Sequence, residues 1–199
     1  MITENSYWLL KNVLPSKDRK NIKRIASEIG YYDADTRTVI PEKSAPKDTN
    51  LRSTDVAFSD QQYFYDLLCP FVNGANESAG WHFDLDWFSP VQIAKYKKNQ
   101  HYDWHIDGAS DKNGSYKKAG VFQNKVRKLS LVAILSNGYL GGEFELSINY
   151  KGTKNEVLNP ELGIGDVIVF PSFVWHRSAL ITKGTKYSAS MWCLGPPFK

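Results

Sequence analysis

The chain has 199 residues, 42% of them apolar and 23% charged, and its 25 Lys+Arg against 21 Asp+Glu give a formal net charge of +4. That length suffices for one domain with a sizeable core, the composition excludes a disordered chain, and the charge is too weak to argue for nucleic acid. Two cysteines, Cys69 and Cys193, exclude a disulfide framework and a cysteine zinc site. The opening MITENSYWLLKNVLP has an early Glu4 and no basic leader, and no run approaches the roughly 18 apolar residues of a membrane span. The expectation is a soluble cytoplasmic protein with no membrane partner.

In chain order, Ser16 is placed to cap a helix over 17–29, with Ile22, Ile25 and Ile29 on one face and Gly30 as its stop. Residues 31–50, with Pro41 and Pro46, read as loop. Ser59-x-x-Gln62 has the form of a capping box, opening a helix with apolar positions Phe64, Leu67, Leu68 and Phe71. Pro70 is expected to kink or end it. Phe83, Leu85 and Trp87 alternate with His82, Asp84 and Asp86, which predicts a strand. Beyond about residue 91 the period is two, with strands predicted over 91–96, 102–107, 129–136, 143–149, 167–170, 174–181 and 186–194. Turn signals at Asn137-Gly138, Gly141-Gly142, Gly163-x-Gly165 and Lys183-Gly184 separate them. Many short strands with turns between them predict a β-sandwich or barrel, in a single domain over 1–199 with a helical and mixed region 1–90 and a β core 91–195.

His105-x-Asp107 lies in the strand pattern 102–107, and residues two apart on a strand share a face. An imidazole and a carboxylate side by side are two ligands for a divalent metal; one further His on a facing strand makes the 2-His-1-carboxylate set of non-haem Fe(II). His101 and Asp103 fall on the same face and are rival ligands on spacing alone, while Tyr102, Trp104 and Ile106 point the other way. His176 follows an apolar strand and a turn. Lys186, ten residues later, begins a strand whose Lys186, Ser188, Ser190 and Trp192 share one face. An inward Lys186 needs an anion. A dicarboxylate co-substrate would supply one end to Lys186 and the other to the metal.

Taken in order, Tyr96, His105-x-Asp107, Gly141-Gly142-Glu143, Gly165-Asp166, Phe170-Pro171-Ser172, His176 and Lys186 resemble the prolyl 4-hydroxylase branch of the Fe(II)/2-oxoglutarate dioxygenases, in particular its bacterial and phage PKHD-type members. Arg52-Ser53-Thr54-Asp55 and the 81–87 segment add to the resemblance, which covers roughly residues 52–194. It implies a mainly β protein with helices (α+β), built on a double-stranded β-helix, or jelly roll, with N-terminal helices packed on one side. It implies His105, Asp107 and His176 as iron ligands and Lys186 as the partner of the distal carboxylate of 2-oxoglutarate. Tyr96 would hydrogen-bond the co-substrate, and Ser190 and Trp192 would line the pocket. The implied cofactors are Fe(II), 2-oxoglutarate and O2, with L-ascorbate as a further ligand; the implied reaction is C–H hydroxylation with release of succinate and CO2. The implied substrate is a prolyl residue of a peptide or protein.

Two departures stand out. Ile134 occupies a position where relatives often place a hydroxyl toward the distal carboxylate, and Lys186 stands where many PKHD-type relatives have Arg. The basic 108–128 loop, with Lys112, Lys117, Lys118, Lys125, Arg127 and Lys128, is placed to act as a lid. Three rivals remain: a cupin-like binding module that does no chemistry, a zinc hydrolase, and an oxygenase acting on a non-peptide substrate. The zinc hydrolase lacks a placed general base, and Trp192 stands where AlkB-type nucleic-acid demethylases carry a basic residue. Activity is expected to fall below about pH 6 as the histidines protonate.

Overall fold

A computed structural model describes residues 5–34, 51–108, 124–148 and 156–198. Among these lie β1 (Trp8–Leu10), α1 (Ser16–Ile29), β2 (Tyr32–Asp33), β3 (Arg52–Ser53), β4 (Asp55–Ser59), α2 (Gln62–Ser78), β5 (Trp87–Phe88) and β6 (Val91–Tyr96). They continue with β7 (His101–His105), β8 (Val126–Ile134), β9 (Leu140–Gly141), β10 (Phe144–Ile148) and β11 (Glu156–Leu158). The last four are β12 (Val167–Pro171), β13 (Trp175–Ser178), β14 (Ile181–Lys183) and β15 (Lys186–Gly195). The larger sheet runs β1-β12-β8-β15-β6-β4-β2 with β5 added on β15; the smaller runs β11-β10-β13-β7-β3; β9 and β14 pair separately. All these pairings are antiparallel, as a jelly roll requires.

Period two on β15 sorts its side chains as the sequence predicts. Ala189, Met191 and Cys193 join a core with Ile22, Ile25 and Ala26 of α1 and Phe64, Leu68 and Val72 of α2. Both helices therefore cover one face of the larger sheet. On its other face Ile168, Phe170 and Val132 meet Phe144 and Leu146 of the smaller sheet, which closes the space between the two layers.

Several local expectations are corrected. Pro15, extended at φ −61 and ψ 154, occupies the N-cap of α1, so Ser16 is the first helical residue and caps nothing; Ile29 is exposed. Gln61 is the N-cap of α2, and Ser59 instead ends β4 and accepts a bond from the Gln61 N–H at 3.4 Å. Of the two outcomes expected at Pro70, α2 does not end there but continues to Ser78, because Leu68, Val72 and Ala75 on either side are fully buried against the sheet and outweigh the lost backbone bond. The 81–86 stretch forms no strand. His82 takes a left-handed φ of 48, and the Asn76 amide binds both the N–H and the C=O of Phe83 at 2.9 Å, replacing ladder bonds with side-chain ones. The predicted 174–181 strand splits into β13 and β14; β1 and β4, which the sequence reading does not pick out, join the larger sheet, β1 as one edge and β4 between β6 and the opposite edge β2, a short strand within the 31–50 stretch expected to be loop. No described helix is long and apolar enough to cross a membrane.

Gly195 ends β15 where a Cβ would lie 1.9 Å from the Asp84 carbonyl oxygen. Backbone cannot yield as a flexible side chain does, so Gly195→Ala should cost about 2–4 kcal/mol of stability. A shift in the denaturant midpoint checks this; an unchanged midpoint would contradict the packing.

Candidate metal centre and co-substrate cleft

The centre begins with an irregularity in β7. His105 pairs with His176 and Tyr102 with Ser178, so three steps on β7 match two on β13. The extra residue is a β-bulge, with Asp103 and Trp104 both opposite Arg177. On the outer side Arg177 lies 3.7 Å from Asp103 and 4.8 Å from the Trp104 ring. The bulge corrects strict alternation: Tyr102 does not point away from His105 but stacks on it, rings 3.5 Å apart and 10° from parallel. It also disposes of the rival pair, since His101 and Asp103 line a separate outer groove with Arg177 and Leu180.

Potential ligand atoms of His105, Asp107 and His176 lie within 4.8 Å of one another. His105 Nε2 is 3.6 Å and His176 Nε2 3.4 Å from the Asp107 carboxylate. Each Nδ1 faces a carbonyl, Asp103 O at 2.7 Å and Val174 O at 3.0 Å. A carbonyl only accepts, so each Nδ1 carries the proton and each Nε2 presents its lone pair inward, the arrangement of a metal-binding imidazole. Asp107 sits just past β7, its N–H bonded to Ser172 O and its C=O to Arg127 Nη1, both at 3.0 Å. Burial, then the charge of His176, pushes the His105 pKa down. Burial alone would raise the Asp107 pKa, but His176, His105 and Arg127, with a hydrogen bond from Ser130, hold it below the usual carboxylate range. A neutral imidazole and an ionised carboxylate are the forms a divalent ion needs. The donor set therefore fits ferrous iron.

The same cleft holds Tyr96, Lys186, Ser190 and Trp192, together with Gln92, Tyr102, Ser178 and Ser188. Lys186 is 2% exposed; its Nζ donates to Gly142 O at 2.6 Å and to Ser178 Oγ at 2.9 Å. Burial lowers its pKa to about 8, partly offset by Glu143. Ser178 supplies beside the ammonium the hydroxyl that Ile134 lacks. Gly142 holds φ +70 and a Cβ there would strike Ile181, which fits the Gly-Gly pair to its carbonyl role.

The sequence reading missed Arg52, Gln92 and Tyr102. Arg52 is 6% exposed, bonds Gln92 Oε1 at 3.0 Å across the two sheets and lies 4.5 Å from the Tyr102 ring. For Arg52 the cue was the Arg52-Ser53-Thr54-Asp55 run, which counted toward the resemblance without giving Arg52 a role in the site. Residues 109–123 of the expected lid lie outside the described residues. Of its basic residues, Lys125 pairs with Asp86 at 2.6 Å and Arg127 lies 4.3 Å from the Trp192 ring.

Residues 91–194, more than half of the chain, match the family model of the 2OG-Fe(II) oxygenase superfamily. No curated protein matches the chain in sequence. Among solved structures, the fold is similar to the viral collagen prolyl hydroxylase of Paramecium Bursaria Chlorella virus-1 (TM-score 0.65, 19% identity, 96% of this chain and 97% of that one). It is also similar to a Pseudomonas putida prolyl-4-hydroxylase (0.65, 18%, 96% and 92%). A third is a Trichoplax adhaerens prolyl hydroxylase in complex with a fragment of hypoxia inducible factor (0.67, 14%, 96% and 84%). Because the matched segment runs from β6 into β15, across the strands that gather the His-Asp-His donors, this chain belongs to the 2OG-Fe(II) oxygenase superfamily and is a 2-oxoglutarate-dependent dioxygenase.

Proposed function

We propose that the enzyme hydroxylates a prolyl residue of a peptide or protein, with His105, Asp107 and His176 holding Fe(II) and Lys186 holding the distal carboxylate of 2-oxoglutarate. The observation that carries the site assignment is Lys186. It is a buried ammonium in the cleft of the triad, bonded among the described residues only to neutral oxygens. Such a cation calls for an anion, and a keto-diacid bridges the two ends. Tyr96, paired with Lys186 across β6 and β15, is placed to hydrogen-bond the co-substrate, and Ser190 and Trp192 to shape its flank. Iron, 2-oxoglutarate and O2 together supply the oxidant and leave succinate and CO2. The chain's own part is to fix the imidazoles, hold Lys186 charged, and keep water from the reacting C–H through the apolar wall of Val132 and Phe144. The prolyl substrate is supported by the shared fold of three prolyl hydroxylases.

The test is succinate formation dependent on Fe(II), in the presence of ascorbate, with prolyl peptides screened for a gain of about 16 Da. Succinate without a prolyl product would point to a non-peptide substrate; metal binding without succinate would point to a binding module.

Lys186 gives the pH dependence its sign. Bound carboxylate raises the ammonium pKa above its free value of about 8, so binding takes up a proton above that pH. Affinity for 2-oxoglutarate should be flat below pH 8 and weaken by up to about tenfold per unit above it. Calorimetry at pH 7 and 9 checks this, and Lys186→Arg should flatten the profile.

A further inference from the structure

Strand β15 has a direction relative to the cleft. Lys186 begins it beside Gly142, Ser188 and Ser190 follow on the inner face, and Trp192 lies against Arg127, which in turn binds the Asp107 carbonyl. The strand therefore runs from the ammonium toward the rim that carries Asp107. What emerges there is Pro196-Pro197-Phe198. Pro196 is half-buried, Pro197 exposed, and neither belongs to a strand.

This segment is held at both ends. Gly195 is locked against the Asp84 carbonyl. The Phe198 ring sits edge-on to Phe83 at 5.5 Å and to Phe173 at 6.0 Å, with Lys128 Nζ 3.6 Å from its centre. Phe173 follows Ser172, the residue that accepts the Asp107 N–H, so this aromatic platform belongs to the rim of the metal centre. Between the anchors, two prolines have no N–H to offer a sheet edge and a fixed φ, and so present a short extended ligand with little conformational entropy left to lose.

We propose that Pro197 is itself a substrate, hydroxylated by a second copy of the enzyme. The inference rests on the prolyl reading above. Flanked by Gly195 and the Phe198 platform, the pair lies at the surface beyond the end of β15, and Pro197 is exposed to another molecule. The step is balanced by the known co-reactants. One atom of O2 and the loss of CO2 convert 2-oxoglutarate to succinate; the other oxygen atom enters a Pro197 C–H bond, giving C–O–H.

The experiment mixes unlabelled wild type with a 15N-labelled His176→Ala chain, which cannot modify itself, under Fe(II), 2-oxoglutarate and air. The labelled chain should gain about 16 Da, mapped by tandem mass spectrometry to Pro197 and absent without 2-oxoglutarate. In a second arm that needs no inactive variant, wild type alone should acquire the same mark at a rate that rises with protein concentration. Pro197→Ala should lose it while hydroxylating prolyl peptides at the wild-type rate. Hydroxylation of peptides with no mark at 196–197 would overturn the inference and leave the prolyl reading standing. A gain on Met191 or Trp192 instead would mean uncoupled oxidation and would also overturn it. Succinate formation with neither peptide nor chain modified would remove the prolyl reading, and the inference with it.

Discussion

His176→Ala should abolish both ferrous-ion binding and succinate formation. The imidazole Nε2 lies 3.4 Å from the Asp107 carboxylate while its Nδ1 proton is committed to Val174 O, which leaves the Nε2 lone pair facing the metal position. Losing only an outer partner of a ligand already costs about 10–100-fold in metal affinity, and losing the ligand should exceed that. His176 is 4% exposed and flanked by Phe170 and Phe144, so the alanine variant leaves a cavity and a lower Tm. Asp107→Asn removes that ambiguity: it keeps the shape and the backbone bonds to Ser172 and Arg127 but withdraws the anionic oxygen. Both variants should fail to bind iron by calorimetry or by loss of the iron–2-oxoglutarate absorption band. Turnover retained in either would reject this triad as the metal site.

Lys186→Met should raise the 2-oxoglutarate requirement by at least about a hundredfold while leaving the iron requirement unchanged. Its second consequence concerns the free protein. An ammonium buried to 2% exposure and hydrogen-bonded, among the described residues, to a carbonyl and a hydroxyl costs stability, and an apolar chain of similar volume relieves that cost. The Met variant should therefore melt at or above the wild-type temperature although it binds co-substrate far more weakly. The pH dependence separates the two proteins further. With a folded pKa of about 8 below the ordinary 10.5, the wild type binds fewer protons folded than unfolded between those values, so its stability rises with pH there. The Met variant should lack that rise. Equal losses of iron and co-substrate affinity, with a lower Tm, would make Lys186 a structural residue.

How much of this was legible in the sequence depends on how local each feature is. The inner face of β15 was readable because strand period two needs only the strand itself, and Lys186, Ser188, Ser190 and Trp192 do line the cleft. α2 was readable in its apolar face but not in its passage through Pro70, because the packing of Leu68, Val72 and Ala75 outweighs a propensity. The 81–86 segment alternates like a strand, yet Asn76, seven residues from Phe83, takes its backbone bonds. Arg52 gave no periodic signal at all; its place comes from β3 pairing with β7 and from Gln92 on the opposite sheet.

By itself the sequence determined the repertoire: which residues carry imidazole, carboxylate and ammonium, their order, and the alternating pattern that makes a jelly roll. Only the tertiary structure decided which of them meet. The bulge opposite Arg177 turned Tyr102 onto His105 and sent His101 and Asp103 outside, and Ser178 rather than residue 134 became the hydroxyl beside Lys186. The reason is physical: alternation fixes a face only while register holds, and register is set by pairing with strands far away in the chain.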